Sequence, residues 1–201
     1  FVIYNNVDKI MIQNMLDNES VGLYSAASRL VLVWQFIPGL ILASFMPALL
    51  NAHKKEKQVF YGRLQYIASL LIWGAILLAL FYTYLSDFII SMTYGADYIN
   101  SAEILTILIW SNVLIFFNAL WNRWMLIEGN TKITFFFSLG AGFLNIIFNY
   151  YFIDYFGVIG ASYAIILAFL ISYCIYYIYL DVKVFKFFIS SLFLFYLWGK
   201  K

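Results

Sequence analysis

The sequence predicts an all-α integral membrane protein, a bundle of six transmembrane helices. Of the 201 residues, 65% are hydrophobic and only 11% are charged, and the long apolar runs are separated by short polar turns. A soluble domain usually carries about 25% charged residues. The charged residues are therefore too few to cover a soluble surface, and the apolar runs indicate helices that cross a bilayer.

Each predicted span is judged by its length, because a helix needs about 20 apolar residues to cross about 30 Å of hydrocarbon. The spans are 1–16, 21–50, 61–85, 104–127, 133–153 and 157–180. The first begins inside an apolar segment at Phe1, so we expect the chain to be a piece of a longer protein. The second is long for one crossing and contains Pro38 and Pro47, which predict a kink or a projecting end.

The connections between spans alternate in charge. Loop 51–63, the junction 123–132 and the tail after 180 contain Lys or Arg, whereas the three other loops contain none. Because Lys and Arg accumulate in cytoplasmic loops, this pattern predicts that the basic connections and the C-terminus are cytoplasmic. In the 181–201 tail, the apolar stretch Val184–Trp198 is short for a span, so it predicts a helix on the inner surface or a truncated seventh span.

Polar and charged residues inside the first two spans mark a candidate site. On a helical wheel Asn5, Lys9 and Gln13 fall on one stripe, which in a bilayer must face protein or water. Lys9 and Arg29 each lie about eight residues from the turn between these spans, so we expect both cations at a similar depth. A charge near the centre of a transmembrane helix costs about 2.5–3.5 kcal/mol unless the protein receives it.

Two interpretations of these cations remain open. Asp8 neutralises one of them in an internal network, or both line a cavity that binds an anion. The second is favoured, because one carboxylate cannot neutralise two cations, and because Arg and Lys are suited to binding phosphate.

Other polar positions carry weaker predictions. Asn118 and Asn122, at i and i+4, are further candidates for lining a cavity. In the fifth span, small and amide residues at helical spacing predict close packing and cross-helix hydrogen bonds rather than cavity lining: Ser138, Gly142, Asn145 and Asn149. Gly157 and Gly160 predict a close approach at the start of the last span, and His53 is expected to be solvated.

The sequence has no pattern typical of an enzyme or a metalloprotein. It contains no His and Cys metal cluster, phosphate-binding loop or nucleotide fingerprint, and its one His excludes a catalytic triad on the inferred outer side. We therefore expect no enzymatic activity, no cofactor and no metal site. The net charge of +2 is too small to suggest nucleic acid as a partner.

Several stretches together resemble one transporter family. "DKIMIQNMLDNESVGLYSAASRL", "IPGLILASFMPALL", "YGADYINSAEILTIL" and "LGAGFLNIIFNYYFIDYFGVIGASYA" follow in the order and spacing of the C-terminal half of bacterial lipid-linked oligosaccharide flippases. These O-antigen and capsule repeat-unit exporters belong to the multidrug/oligosaccharidyl-lipid/polysaccharide exporter superfamily. "FIDYFG" lacks the Pro that such proteins often have before this turn, which affects the turn geometry.

The resemblance implies both an architecture and a function. Residues 1–180 would be the C-terminal six-helix lobe of a two-lobed, twelve-helix transporter similar to multidrug exporters (MATE-like). The whole protein would move a polyprenyl-pyrophosphate-linked oligosaccharide across the bacterial cytoplasmic membrane by alternating access. Its expected partners are that glycolipid, the N-terminal lobe, membrane lipids, and a polysaccharide polymerase with its assembly proteins.

The resemblance also implies roles for the candidate residues. Lys9 and Arg29 would bind the pyrophosphate, and Asp8 would couple transport to an ion. The sugar hydroxyls would be met by the amide side chains of Asn5, Gln13, Asn118 and Asn122.

Two other functions compete with this interpretation. A multidrug exporter of the same superfamily that moves cations would favour acidic groups in its cavity, whereas cations are in excess here. A membrane-embedded glycan polymerase or ligase would need catalytic groups near the outer face, but the predicted outer loops lack Arg, Lys and His.

Overall fold

A computed structural model describes residues 6–179, 187 and 189–191. This part of the chain is built of α-helices and contains no strand, which confirms the predicted all-α class. The helices are α1 (Val7–Met15), α2 (Asn18–Trp34), α3 (Phe36–Lys55), α4 (Lys57–Tyr94), α5 (Ser101–Leu108), α6 (Ser111–Ile127), α7 (Thr131–Phe156) and α8 (Val158–Tyr179). A 3₁₀ turn at Ala96–Tyr98 precedes α5.

Five helical segments in this part are long and apolar enough to cross a membrane. They are Asn18–Lys55, Lys57–Tyr94, Ser101–Ile127, Thr131–Phe156 and Val158–Ile175. The first predicted span is represented by α1, and its residues 1–5 lie outside the described chain.

The turns at the ends of α2 and α7 have local physical causes. Asp17 caps α2, because its carboxylate accepts a 2.7 Å hydrogen bond from the Ser20 N–H, and this bond lowers the pKa of the Asp17 carboxyl. Gly157, with φ +61°, ends α7 in a conformation that favours glycine. A Cβ on Gly160 would lie 2.0 Å from the Phe152 carbonyl oxygen, so the close approach predicted at these glycines is confirmed.

The second predicted span is broken at Gln35, between α2 and α3. Pro38 has no N–H to donate to the Trp34 carbonyl, so the regular hydrogen-bond ladder is interrupted here. The Gln35 N–H turns to the Leu32 carbonyl at 3.0 Å, three residues back, and this leaves the Val31 carbonyl without its usual helical donor. The predicted kink therefore occurs at Pro38, whereas Pro47 lies inside the continuous helix α3.

The predicted fourth span is also broken, at Ile109 and Trp110 between α5 and α6. Just after this break the buried Asn112 donates from Nδ2 to the Val31 carbonyl at 3.3 Å, and its Oδ1 accepts a long 3.5 Å contact from Gln35 Nε2. A side chain beside one helix break thus satisfies the carbonyl released by the other. Neighbouring helices commonly re-satisfy backbone groups in this way inside membranes.

The two breaks lie between two hydrophobic cores. Core A surrounds α3, α6 and the first half of α4, and includes Phe60, Leu64 and Trp121. Core B surrounds α2, α5 and the second half of α4. Helix α4 passes both cores without a break. At the level of the breaks, Tyr82 accepts a hydrogen bond from the Trp34 indole at 2.9 Å, and Thr83 accepts one from the Trp110 indole at 3.3 Å.

We expect Asn112→Leu to destabilise the bundle, because it leaves the buried Val31 carbonyl without a donor at nearly unchanged side-chain volume. An unsatisfied buried polar group costs about 1–3 kcal/mol. The measurement is the thermal unfolding midpoint of the full-length protein in detergent. Thr106→Val is the control, because the Thr106 hydroxyl bonds only to the Ala102 carbonyl of its own helix. Equal midpoints for Asn112→Leu and the parent would contradict this account of the break.

The described residues of the tail pack against core A. Phe187 is buried with its ring centroid 5.1 Å from that of Trp124, and Ser69 Oγ donates to the Ser191 carbonyl at 3.2 Å. Gln65 Nε2 donates to Ser190 Oγ. Most of Val184–Trp198 lies outside the described chain, so the two interpretations of this stretch stay predictions.

Candidate functional site

Lys9 and Arg29 lie on the first two helices of the chain, on either side of the turn at Asp17. Lys9 is half-buried on α1 and Arg29 is exposed on α2. Neither side chain forms a hydrogen bond or an ion pair with any other residue described here. Asn5, the third member of the predicted polar stripe, lies outside the described chain.

The two cations lie at different distances from the ends of the helices that meet at the α1–α2 turn. Lys9 lies about 9 Å along the axis from the end of α1 at Met15, whereas Arg29 lies about 16 Å from the start of α2 at Asn18. The difference arises because α2 begins three residues earlier than the predicted span, at the Asp17 cap.

Asp8, next to Lys9, points into the protein. Its carboxylate accepts a 2.9 Å hydrogen bond from the Tyr24 hydroxyl of α2 and a 2.6 Å bond from Asn149 Nδ2 of α7. All three residues are buried. Hydrogen bonds to a charged group are stronger than those between neutral groups, so these two bonds stabilise the buried carboxylate.

This arrangement bears on the interpretation in which Asp8 neutralises a cation. Within the described chain the carboxylate forms no ion pair with Lys9 or Arg29, because neutral donors on α2 and α7 occupy it. Neighbouring residues of a helix point about 100° apart, so Asp8 and Lys9 face different surroundings.

The polar seam of α7 divides into two parts. Asn145 and Asn149 are buried. The bond from Asn149 to Asp8 confirms the predicted cross-helix bonding for Asn149, whereas the 3.1 Å bond from Asn149 Nδ2 to Asn145 Oδ1 lies within α7. Ser138 is exposed and bonds only to the Thr134 carbonyl of its own helix. Asn149 Oδ1 is buried without a partner among the described residues.

The other predicted sugar-binding residues that the structure describes lie on two helices: Gln13 is one turn from Lys9 on α1, and Asn118 and Asn122 are on α6. Gln13 is exposed, and its Nε2 lies 3.4 Å from Asn18 Oδ1 at the α1–α2 turn. Asn118 and Asn122 are half-buried on α6 beside core A, each with a buried Oδ1 that lacks a partner in the described part. The structure therefore divides the predicted contacts between α1 and α6.

A polar cluster that the sequence did not predict lies where α3, α4 and α6 end or begin. Glu128 Oε1 accepts hydrogen bonds from the Tyr61 hydroxyl and the Trp124 indole, both at 3.3 Å, and lies 3.9 Å from His53 Nε2. The His53 ring also packs edge-on against Phe60 at 4.8 Å. The expectation that His53 is simply solvated is wrong, because the turn between α3 and α4 brings it against an aromatic wall.

No group of three or more potential metal ligands of the His, Cys, Asp and Glu types occurs among the described residues.

Comparison with known proteins gives a structural likeness. No protein family and no curated protein matches the chain. Among solved structures, it is similar to a MOP superfamily transporter from Pyrococcus furiosus Vc1, with a TM-score of 0.72 and 19% sequence identity over 95% of this chain and 46% of the transporter. That transporter is described as having a binding pocket of reverse polarity that suggests a different function. The chain has the fold of the matching part and spans about half the transporter's length.

Proposed function

We propose, from the fold that this chain shares with part of a MOP superfamily transporter, that it is one lobe of a carrier for a lipid-linked glycan. The carrier moves a polyprenyl-pyrophosphate-linked oligosaccharide repeat unit from the cytoplasmic to the outer face of the bacterial cytoplasmic membrane. It supplies O-antigen, capsule or exopolysaccharide synthesis, and it works by alternating access rather than as an enzyme.

The observation that carries this proposal is the engagement of Asp8 with neutral groups. Tyr24 and Asn149 hold its carboxylate by hydrogen bonds, and within the described chain neither Lys9 nor Arg29 forms an ion pair. A pyrophosphate is a long anion that offers several acceptor oxygens, and it can reach a half-buried Lys and an exposed Arg. Arg provides planar paired donors and Lys a mobile charge, which together favour a phosphate group over a cationic drug.

Asp8 is the proposed ion-coupling residue. Ionisable residues inside transmembrane segments often belong to ion or proton pathways. Asp8 is buried at the meeting point of three helices, and the unpaired Asn149 Oδ1 lies on one of its partners. Uptake of a proton or a cation would change the hydrogen bond that joins Asp8 of α1 to Asn149 of α7. The packing of α1 against α7 would then change as well.

The remaining parts of the proposal concern the setting of the lobe. The basic connections and the C-terminus face the cytoplasm, in line with the distribution of Lys and Arg. An N-terminal lobe completes the cavity around α1 and α2. Gln13, Asn118 and Asn122 meet sugar hydroxyls, and Asn5 extends the polar stripe of α1. A polysaccharide polymerase and its assembly proteins receive the glycan on the outer side.

The proposed function is tested by separating charge from folding at the two cations. In the full-length protein, we expect Lys9→Met and Arg29→Met to reduce surface glycan at least tenfold, while membrane protein abundance is unchanged. Lys9→Arg keeps the charge and should retain part of the activity. Lys132→Met is the control, because it removes a positive charge from the start of α7, away from the α1–α2 turn.

A double substitution distinguishes anion binding from a charge network. If Lys9 only balances Asp8, then Lys9→Met lowers protein abundance and Asp8→Asn/Lys9→Met restores both abundance and export. If Lys9 binds the glycolipid, export is lost in both variants while abundance stays normal. Normal export by the double variant would overturn the assignment of Lys9 to the substrate.

A further inference from the structure

A basic groove lies between α3 and α4, at the opposite end of the α2–α3 segment from the α1–α2 turn. It has a volume of ≈ 360 Å³ and is lined by Ala48, Asn51, Ala52, Lys55, Glu56, Val59 and Arg63. We infer that this groove binds the phosphate headgroup of an anionic phospholipid. The inference concerns a site separate from Lys9 and Arg29 and does not depend on the proposed transport function.

The groove is formed by a tight helical hairpin. Glu56, in an extended conformation, is the single residue between α3 and α4, and its N–H bonds to the Ala52 carbonyl at 2.8 Å. The two helices therefore run back along each other at once. Arg63 Nη1 donates to the Ala48 carbonyl at 2.7 Å across the hairpin, which fixes the guanidinium at the groove wall and leaves its other N–H groups available.

The polar side chains of the groove suit a phosphate. Lys55 and Arg63 supply two positive charges against the one negative charge of Glu56, and Asn51 adds an amide donor. These four side chains are exposed. Arg binds phosphate oxygens through paired donors, and basic pockets between transmembrane helices on the cytoplasmic side are typical sites for anionic lipid headgroups.

An exposed apolar stripe continues from the groove along α4. Val59 forms the groove wall, and the exposed side chains that follow at helical spacing are Tyr66 at 64%, Leu70 at 44%, Trp73 at 38% and Leu77 at 65%. From Arg63 to Trp73 the helix rises about 15 Å, which is the hydrocarbon thickness of one leaflet. A phosphate at Arg63 would thus have its acyl chains lying along this stripe.

A basic groove beside an exposed apolar stripe favours a lipid over a free phosphate ion. Charge alone would attract either, but only a lipid also covers the apolar surface that begins at Val59. Lys54 and Lys57 belong to the same turn and do not line the groove. Substitutions at these two residues therefore distinguish binding in the groove from general attraction of an anionic lipid to the basic loop.

The test is retention of phosphatidylglycerol and phosphatidylcholine by the full-length protein, measured by native mass spectrometry after exchange into mixed micelles. We expect phosphatidylglycerol to be retained preferentially. Lys55→Gln should lower its retention about fivefold, the effect of one basic contact near a lipid surface. Asn51→Leu should also lower it, at constant net charge.

Matched variants decide the outcome. Lys54→Gln and Lys57→Gln remove the same charge outside the groove and should leave retention unchanged. Arg63→Lys keeps the charge but loses the paired donors, so we expect weaker retention. Equal losses for Lys54→Gln and Lys55→Gln would overturn the site in favour of general attraction. Equal retention of both lipids, or displacement of phosphatidylglycerol by inorganic phosphate, would also overturn it.

Discussion

Replacing Gly160 with Ala is expected to cause a large loss of stability. The added Cβ would lie 2.0 Å from the Phe152 carbonyl oxygen and 2.8 Å from the Ile153 nitrogen, both backbone atoms of α7. A flexible side chain could move aside, but here α8 itself must shift away from the end of α7. Overpacking costs about 1–3 kcal/mol and sometimes more. We expect the upper part of this range, with a thermal midpoint lower by roughly 6–12 °C.

Gly140→Ala provides the matched control for this prediction. Gly140 lies inside α7, and a Cβ there would meet nothing within 4 Å. Ala is favoured over Gly in a helix by about 1 kcal/mol, so this variant should be as stable as the parent protein or slightly more stable. The measurements are membrane abundance and the thermal midpoint in detergent. If the two variants unfold at the same temperature, α7 and α8 do not approach as closely as described.

Asn149→Leu is expected to destabilise the protein by about 3 kcal/mol. It removes the 2.6 Å hydrogen bond to the buried Asp8 carboxylate, which also accepts a hydrogen bond from Tyr24. A hydrogen bond to a charged group contributes about 1.5–3 kcal/mol, and leaving a buried charge without its partner costs about 3–5 kcal/mol. Replacing both partners with apolar groups can be nearly neutral, but Asp8→Leu also removes the acceptor of the Tyr24 hydroxyl, so Asp8→Leu/Asn149→Leu should recover part of the loss.

Ser138→Ala is the control for the polar seam, because Ser138 is exposed and bonds within its own helix. Thermal midpoints of the four proteins in the Asp8 and Asn149 cycle give the interaction between the two positions. An unchanged midpoint for Asn149→Leu would show that Asp8 does not depend on α7. If the double variant is no more stable than Asn149→Leu, the loss does not come from the carboxylate.

Much of the fold can be predicted from the sequence, because the composition and the apolar length of a segment do not depend on the rest of the chain. The all-α class and the break near Pro38 depend on such local features. The pairing of Asn112 with Val31 and the contact between His53 and Glu128 join residues far apart in the chain. Helical periodicity shows which face of a helix is polar but does not identify the helix opposite it.

The candidate site shows the same limit. The helical wheel predicts that Asp8 and Lys9 face different directions, and the amide pair Asn145 and Asn149 predicts cross-helix hydrogen bonds. The sequence alone could not join these two observations, because nothing local relates α1 to α7. The start of α2 also differs from the predicted span, because the cap at Asp17 begins the helix before its apolar run.

The bond between Asp8 and Asn149 has a consequence for how the chain is made. Its partners are 141 residues apart, whereas Tyr24 follows Asp8 by only 16. At about 5–20 residues per second, roughly 7–28 s of translation separate the synthesis of α1 from that of its α7 partner. During this interval Tyr24 can donate to Asp8, but the bond from Asn149 does not yet exist. The Asp8 carboxylate therefore passes this interval without the shorter of these two hydrogen bonds.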